Sequence, residues 1–392
     1  MKMIYRLLKK KFLTFLYQQK IKQHNRRIFN LKFNNKGKQV ILAEFNAFFP
    51  EHIGTSYILH CLKSSYKNSK VISHFSHVVL SYKLKRTFMK KIWSNILQVF
   101  KLGNFGVYNS MGIKNFFYPT ENEKDKIISL KLYKKFLNNI KTLKQLERYK
   151  VNNILFGDLL YDCYLKKNYD NVPTIDLKSQ KFKEFAYEFI TLIVIWLRFF
   201  KNHKVVAVIG SHSVYSIGVP LRISINKGIK TFAITPEQIC NLSKKMPHEY
   251  IEFFDYKHNF SKINKTKKKI CLNLAKKKLK KKLSGKFSSD YYYALKSPYL
   301  NKKSSRRVIT KNKKLKLLVA THDFVDAPHL FGNSLFTDFY QWIYFIGKVS
   351  RNTNYEWYIK THYPYGGKYE RYQAHERRVV QGLVKKFKHF KI

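Results

Sequence analysis

Residues 205–234 read VVAVIGSHSVYSIGVPLRISINKGIKTFAI, and this stretch decides the fold. Val205–Ile209 is a short unbroken apolar run rich in β-branched residues, which predicts a strand buried on both faces. A polar loop, Gly210-Ser-His212-Ser213, follows it. Val219–Asn226 then reads as a helix and Thr231–Ile234 as a second short strand. A strand, a loop, a helix and a strand in quick succession are the repeat of a parallel sheet with helices on its faces.

The same alternation extends in both directions. Upstream, Val40–Phe45 predicts a buried strand, followed by a loop through Pro50 and Gly54 and a helix from about Ser56. Val71–Leu80 and Val107–Phe117 hold further short strand candidates. Leu130–Lys150 predicts one helix, Ile154–Phe156 a strand edge running into Gly157-Asp158, and Phe182–Phe200 a buried helix. Downstream, Ser261–Lys286 breaks the pattern, because 12 of its 26 residues are lysine. It reads as an exposed amphipathic helix or a lysine-rich connector. The alternation restarts with a strand at Leu315–Ala320, a loop over Thr321–Asn333, a helix near Phe336–Ser350, a strand at Trp357–Lys360 and a helix near Tyr369–Lys388. The expected fold class is α/β. The expected domains are a basic helical segment over 1–38, an α/β domain over 39–300 that includes the connector 261–286, and a partial α/β domain over 301–392.

Composition bounds the function. A chain of 392 residues with 45% hydrophobic and 16% aromatic residues has too much apolar side chain to be disordered. Cys61, Cys163, Cys240 and Cys271 lie far apart, which suits a reducing compartment rather than a disulfide framework. The formal charge is +54, carried by 64 Lys and only 13 Arg. A dedicated nucleic-acid reader would use the rigid, bidentate guanidinium more freely, so no specific nucleic-acid partner is expected. The lysine faces instead favour anionic lipid headgroups and phosphorylated substrates.

No run is long enough to span a bilayer. Lys9, Lys10 and Lys11 interrupt the N-terminal apolar residues before they form a secretory core, and Phe189–Leu197 is too short. Ile4, Leu7, Leu8, Phe12, Phe15 and Leu16, set among lysines, suit either an ordinary docking helix or a helix lying on a membrane surface. The expected location is cytoplasmic and peripheral at the inner face of the plasma membrane. The attachment expected there is electrostatic, so high salt should release it.

The motifs that are absent narrow the chemistry. There is no phosphate loop, no G-x-G-x-x-G and no H-E-x-x-H. None of the ten aspartates has another two positions away, so the D-x-D that holds a sugar nucleotide through a divalent metal is missing. No metal site and no cofactor is expected. What the sequence does contain is five polar clusters, each directly after a strand candidate. They are Glu44-Phe-Asn46 with Glu51, His52, Gly54 and Thr55; Gly157-Asp158 through Asp162; Gly210–Ser213 with Tyr215 and Gly218; Thr321-His322-Asp323 with Asp326, Pro328 and His329; and Lys360-Thr361-His362. In doubly wound sheets the ligand crevice lies beyond the carboxyl ends of the strands, where such clusters gather.

Five strings carry a resemblance: ILAEFNAFFPEHIGTSYILHCL (41–62), GDLLYDCYLK (157–166), VIGSHSVYSIGVPLRISINKGIKTFAITPEQ (208–238), LLVATHDFVDAPHLFGNSLFTDFYQWIYFIGKVS (317–350) and EWYIKTHYPYGGKYE (356–370). Together they resemble the capsular and surface polysaccharide biosynthesis proteins, which are similar to glycosyltransferases of the GT-B type. The resemblance implies two Rossmann-like domains facing a cleft, with the glycan or lipid-linked glycan acceptor on the N-terminal side. A nucleotide-sugar donor would sit on the C-terminal side, and transfer would need no metal. The family pattern Lys-x-His-Pro departs here to His362-Tyr363-Pro364. The family also continues for about a hundred residues, one further half-domain, so the resemblance implies that the C-terminal domain is incomplete.

Within that resemblance the acceptor hydroxyl needs a base and the leaving phosphate needs cations or hydrogen-bond donors. Glu51, His52 or His212 is the expected base. Lys360 and His362 are expected to meet the leaving phosphate, with His322, Asp323 and His329 positioning the donor. Asp158 and Asp162 are read as a loop-stabilising hydrogen-bond pair. Two other readings fit the same residues. One is a polyol-phosphate transferase of the teichoic-acid type, and the other is a non-catalytic basic protein that binds a membrane or polyanion through residues 261–286.

Overall fold

A computed structural model describes residues 2–29, 37–45, 49–75, 88–168, 173–235, 238–249, 256–284, 309–332, 334–362 and 370–392. The chain divides into two compact units. The first comprises residues 1–167, 175–250 and 329–332, and the second residues 168–174, 251–328 and 333–392.

The first unit opens with helix α1 (Lys2–Phe29), strand β1 (Gln39–Phe45), helix α2 (Phe49–Ser65) and strand β2 (Ser69–Phe75). Then come α3 (Phe88–Val99), α4 (Gly103–Ser110), β3 (Asn115–Phe117), α5 (Glu123–Asn139) and α6 (Leu143–Glu147). A small hairpin, β4 (Lys150–Val151) with β5 (Ile154–Leu155), precedes α7 (Gly157–Lys167) and the long α8 (Gln180–Asn202). The unit is completed by β6 (Lys204–Gly210), α9 (Gly218–Asn226), β7 (Lys230–Ile234) and β8 (Ile239–Leu242).

Its six-stranded sheet runs β3-β2-β1-β6-β7-β8. All neighbours pair in parallel except β7 and β8, so the sheet is mixed. The central strand explains the order. Val40, Ile41, Leu42 and Ala43 are fully buried, so β1 has helices over both faces. On one face Ile41 and Ala43 pack with Ile21, Leu59, Leu62, Val107 and Met111 from α1, α2 and the α4 region. On the other, α8 lays Trp196 edge-on against His74 of β2 at 4.9 Å. Side-chain caps start the helices there. Asn122 accepts from Asp125 N in a reciprocal capping box, and Ser179 accepts from Phe182 N to open α8. No described helix is long and apolar enough to cross a membrane.

The second unit holds α10 (Tyr256–Ser261), α11 (Lys265–Leu283), β9 (Lys316–Ala320), α12 (Phe339–Ser350), β10 (Glu356–Lys360), α13 (Glu370–Lys386) and β11 (Phe390–Lys391). Its sheet, β11-β10-β9, is parallel throughout. Val319, Ile359 and Phe390 face Phe324, Ile343, Val380, Leu383 and Phe387 in one core.

The strands expected to end at Phe45, Ile209, Ala320 and Lys360 end there or one residue on, at Phe45, Gly210, Ala320 and Lys360, with parallel neighbours. Three local expectations need correction. The loop expected through Pro50 and Gly54, with a helix from about Ser56, is already helix, because α2 starts at Phe49. The expected helix over 130–150 is two, since the chain becomes extended at Ile140 and a new capping box forms between Thr142 and Gln145. Helix α11 is exposed along its length but has no single apolar face. At 100° per residue Leu272, Leu279 and Leu283 lie on the side opposite Ile270 and Leu274. The expected strand residues 76–80, the proline at 364 and the domain boundary at 300 lie outside the described residues.

Candidate functional site

Beyond the carboxyl ends of β1 and β6 the first unit gathers three carboxylates around one imidazole. Glu44, the penultimate residue of β1, is buried and accepts from Ser211 N at 2.7 Å and from Ser211 Oγ at 2.8 Å. Burial raises its pKa, with the Ser211 bonds and His212 opposing in part. His212 Nδ1 lies 2.6 Å from Glu249 Oε1. The second Glu249 oxygen accepts from Ser213 N at 2.9 Å and from the Ser213 hydroxyl. Glu249 is fully buried, whereas the His212 side chain keeps 36% of its surface open. Burial works against a charged His212 ring, but the bond and charge of Glu249, followed by Glu51 and Glu44, outweigh it and raise the pKa. The loop geometry depends on Gly218, where a Cβ would lie 2.5 Å from Ser213 O.

A second, largely buried network lies in the same unit. Arg222 on α9 reaches Asp158 on α7 at 2.6 Å, with side chains only 8% and 4% exposed. His329 Nδ1 meets Asp162 Oδ1 at 2.6 Å, and its Nε2 lies 3.7 Å from Glu147. Glu147 in turn pairs with Lys144 at 2.9 Å. Helix α7 can start this close because residue 157 is glycine; a Cβ there would overlap the carbonyl oxygen of Leu146. Burial alone would discharge His329, but Asp162 outweighs it, helped by Asp158 and Glu147, and holds its pKa at about 9. The same burial, unopposed, pushes His74 down to about 3, and with Arg222 nearby it pushes His248 down to about 4.

These shifts fix a pH dependence. A raised histidine stabilises fully below its unfolded value near 6.5 and loses that contribution as pH climbs through about 9. The depressed pair do the reverse. Their contribution is present above 6.5 and disappears as pH falls toward 4 and then 3. Denaturation midpoints should therefore form a plateau near neutrality with a fall on each side. His329→Gln should lower the plateau and flatten the alkaline fall. An alkaline fall of unchanged depth in that variant would remove His329 as its source.

In the second unit the ends of β9 and β10 are tied together. Thr321 N donates to Lys360 O at 2.9 Å. One oxygen of Glu376, on α13 and 1% exposed, accepts from Thr321 Oγ1 at 2.5 Å and from His362 N at 2.8 Å. This brings the His322 and His362 rings to 5.2 Å, with Phe339 at 5.4 Å from His322. Lys360 is exposed beside them. Asp323 is spent on the loop, its Oδ1 accepting from Val325 N at 3.2 Å.

The expected site residues thus fall into separate groups. Glu51 and His212 come together with Glu44 and Glu249. His52 is adjacent to Glu51 in sequence but fully buried, 5.5 Å from the Tyr108 ring. His322, Lys360 and His362 share one strand-end corner of the second unit. His329 belongs to the first unit, where its buried ring is held between Asp162 and Glu147. Sequence reasoning missed Glu249, Arg222 and Glu376. Their partners are distant in the chain, and none lies in a recognisable motif.

A cavity of about 450 Å³ lies elsewhere in the first unit, lined by Lys135, Lys144, Arg148, Lys150 and Tyr149 among others. It contains none of the expected site residues. Among the described residues no group of three or more His, Cys, Asp and Glu is arranged to hold a metal ion. Compared with family models, curated proteins and solved structures, the chain finds no match.

Proposed function

We propose that the protein is a glycosyltransferase that moves a sugar from a nucleotide-sugar donor to a glycan hydroxyl, with its two α/β units serving as the halves of a GT-B transferase. The observation that carries this reading is His212, an imidazole at a strand end with one nitrogen held by a buried carboxylate and a third of its side chain open. A ring so oriented presents its other nitrogen as a proton acceptor, which is the arrangement a general base needs. Glu249 fixes the tautomer and stabilises the charged ring after it takes the proton. Glu51 and Glu44 add negative potential to the same end.

The second unit supplies the groups that meet phosphate. Lys360 is exposed at this corner, and His322 and His362 bring imidazole rings to it, the chain there being tied through Glu376 to His362 N. Charge grows on the leaving phosphate as the glycosidic bond breaks, so these contacts strengthen toward the transition state. Surface or capsular polysaccharide is the proposed product.

Product analysis with a panel of nucleotide sugars, and with cytidine-diphosphate polyols beside them, tests the reading. Transfer from a nucleotide sugar at an undiminished rate in EDTA is the expected result, because the chain has no D-x-D. Activity lost in EDTA and restored by Mn²⁺ would overturn the metal-independent assignment. Products formed only from the polyol donors would replace sugar transfer by polyol-phosphate transfer.

A further inference from the structure

Helices α1 and α4 run side by side in the same direction. Gln18 Nε2 donates to Asn104 Oδ1 at 3.0 Å, and seven residues further along α1, Asn25 Nδ2 donates to Ser110 Oγ at 3.0 Å. Stepping back from the first contact on both helices leads to one end of the first unit. On α1 that step reaches Phe12, Leu13, Phe15 and Leu16, and before α4 it reaches Val99, Phe100 and Leu102. All seven are exposed, Phe12 at 60%, Phe100 at 68% and Val99 at 72%. Among the residues of α1 whose burial is described, the buried ones, Ile21, Asn25 and Phe29, lie further along the helix, so the docked half holds the exposed half in place.

The turn is built to hold this position. Leu102 N donates to Leu97 O at 2.8 Å and Lys101 N to Gln98 O at 3.2 Å, the paired closure that ends a helix around a left-handed residue. The left-handed residue is Lys101, with φ 53°, a conformation that lysine rarely adopts. Val99, Phe100 and Leu102 are thus presented outward around a lysine on a fixed turn. Single exposed apolar residues need no explanation, but seven gathered at one end mark a surface that is covered in use.

The charge distribution identifies what covers it. The sequence has no Asp or Glu before Glu44 and none between Glu51 and Glu121, while those two stretches carry 22 Lys and Arg. Both halves of the apolar end come from these acid-free stretches. A protein partner of mixed charge would gain nothing from so one-sided a surround. An apolar tip set in sequence that is rich in Lys and Arg and free of acids matches anionic headgroups above an acyl boundary. We propose that Phe12–Leu16 and the Val99–Leu102 turn insert together into the interface of an anionic lipid bilayer. The proposal does not rest on the transfer chemistry and goes beyond electrostatic attachment, because the inserted side chains are not screened by salt.

Cosedimentation of the full chain with vesicles tests it, comparing phosphatidylcholine alone with phosphatidylcholine mixed with phosphatidylglycerol. Binding is expected only to the mixed vesicles and should weaken, without vanishing, as salt is raised. Phe15→Ser and Phe100→Ser should each weaken binding by about tenfold or more, the scale of exposing one phenylalanine, with unchanged melting curves. As a positional check, Phe100→Trp should gain fluorescence that brominated acyl chains quench, relative to the unsubstituted chain. Equal binding by the serine variants, or no added quenching, would overturn the proposal. A dimer in lipid-free solution that the serine variants disperse would also overturn it, by assigning the surface to a second copy.

Discussion

His212→Ala is expected to lower kcat for glycosyl transfer by about 10²–10⁴-fold, the range that a positioned general base contributes. KM for the donor should change little, since the role proposed for the ring is on the acceptor proton. Because the neighbouring carboxylates raise the His212 pKa, the acid limb of the rate profile should lie above the ordinary imidazole value of 6.5. Glu249→Gln keeps the shape of the pair but removes its charge. It should move that limb downward and reduce kcat by less than the loss of the ring itself. A purely structural His212 would leave the limb in place, and near-normal turnover in the alanine variant would remove the residue from the chemistry.

The second large effect is on stability and needs no assumption about the reaction. Arg222→Met should destabilise the first unit by about 3–5 kcal/mol, because it leaves the Asp158 carboxylate buried without its strongest partner. The penalty comes from the orphaned charge more than from the lost attraction. Arg222→Met combined with Asp158→Leu should therefore recover much of the loss, since a well-packed apolar pair often equals a buried ion pair. Denaturant midpoints of the unsubstituted protein, the two single variants and the double variant measure this. A double variant as unstable as the sum of its two single changes would show that the pair is held by something other than mutual compensation.

These residues also show where sequence reading succeeds and where it stops. Strands β1 and β6 were legible because a strand buried on both faces must be a short apolar run, and β9 and β10 because their short apolar runs are bounded by polar residues, although Leu318 of β9 is exposed. Helix α4 was not legible, because its few apolar residues fit a strand or a helix turn equally, and it is the packed fold that seats Tyr108 against Glu44 O. His212 stood out as a polar residue just past a strand. Its partner Glu249 lies 37 positions away in a segment without periodicity, and nothing local marks it. The contrast between Glu51 and His52 is geometric. One helical step rotates the next side chain by about 100°, enough to turn the imidazole into the core while Glu51 stays near His212. His329 read as a loop residue after β9, and only the fold reveals that Asp162, 167 positions earlier, encloses it.

That enclosure bears on how the protein is made. The first unit takes its last four residues, His329–Gly332, from a point in the chain beyond β9, after most of the second unit's N-terminal portion has been synthesised. On a ribosome the six strands of the large sheet emerge well before His329 does. Until then Asp162 lies in the interior without the imidazole that pairs with it, and an isolated N-terminal fragment lacks that part of the first unit's stability. Completion of the earlier unit thus waits on translation of the later one, so the two reach maturity together although one is synthesised first.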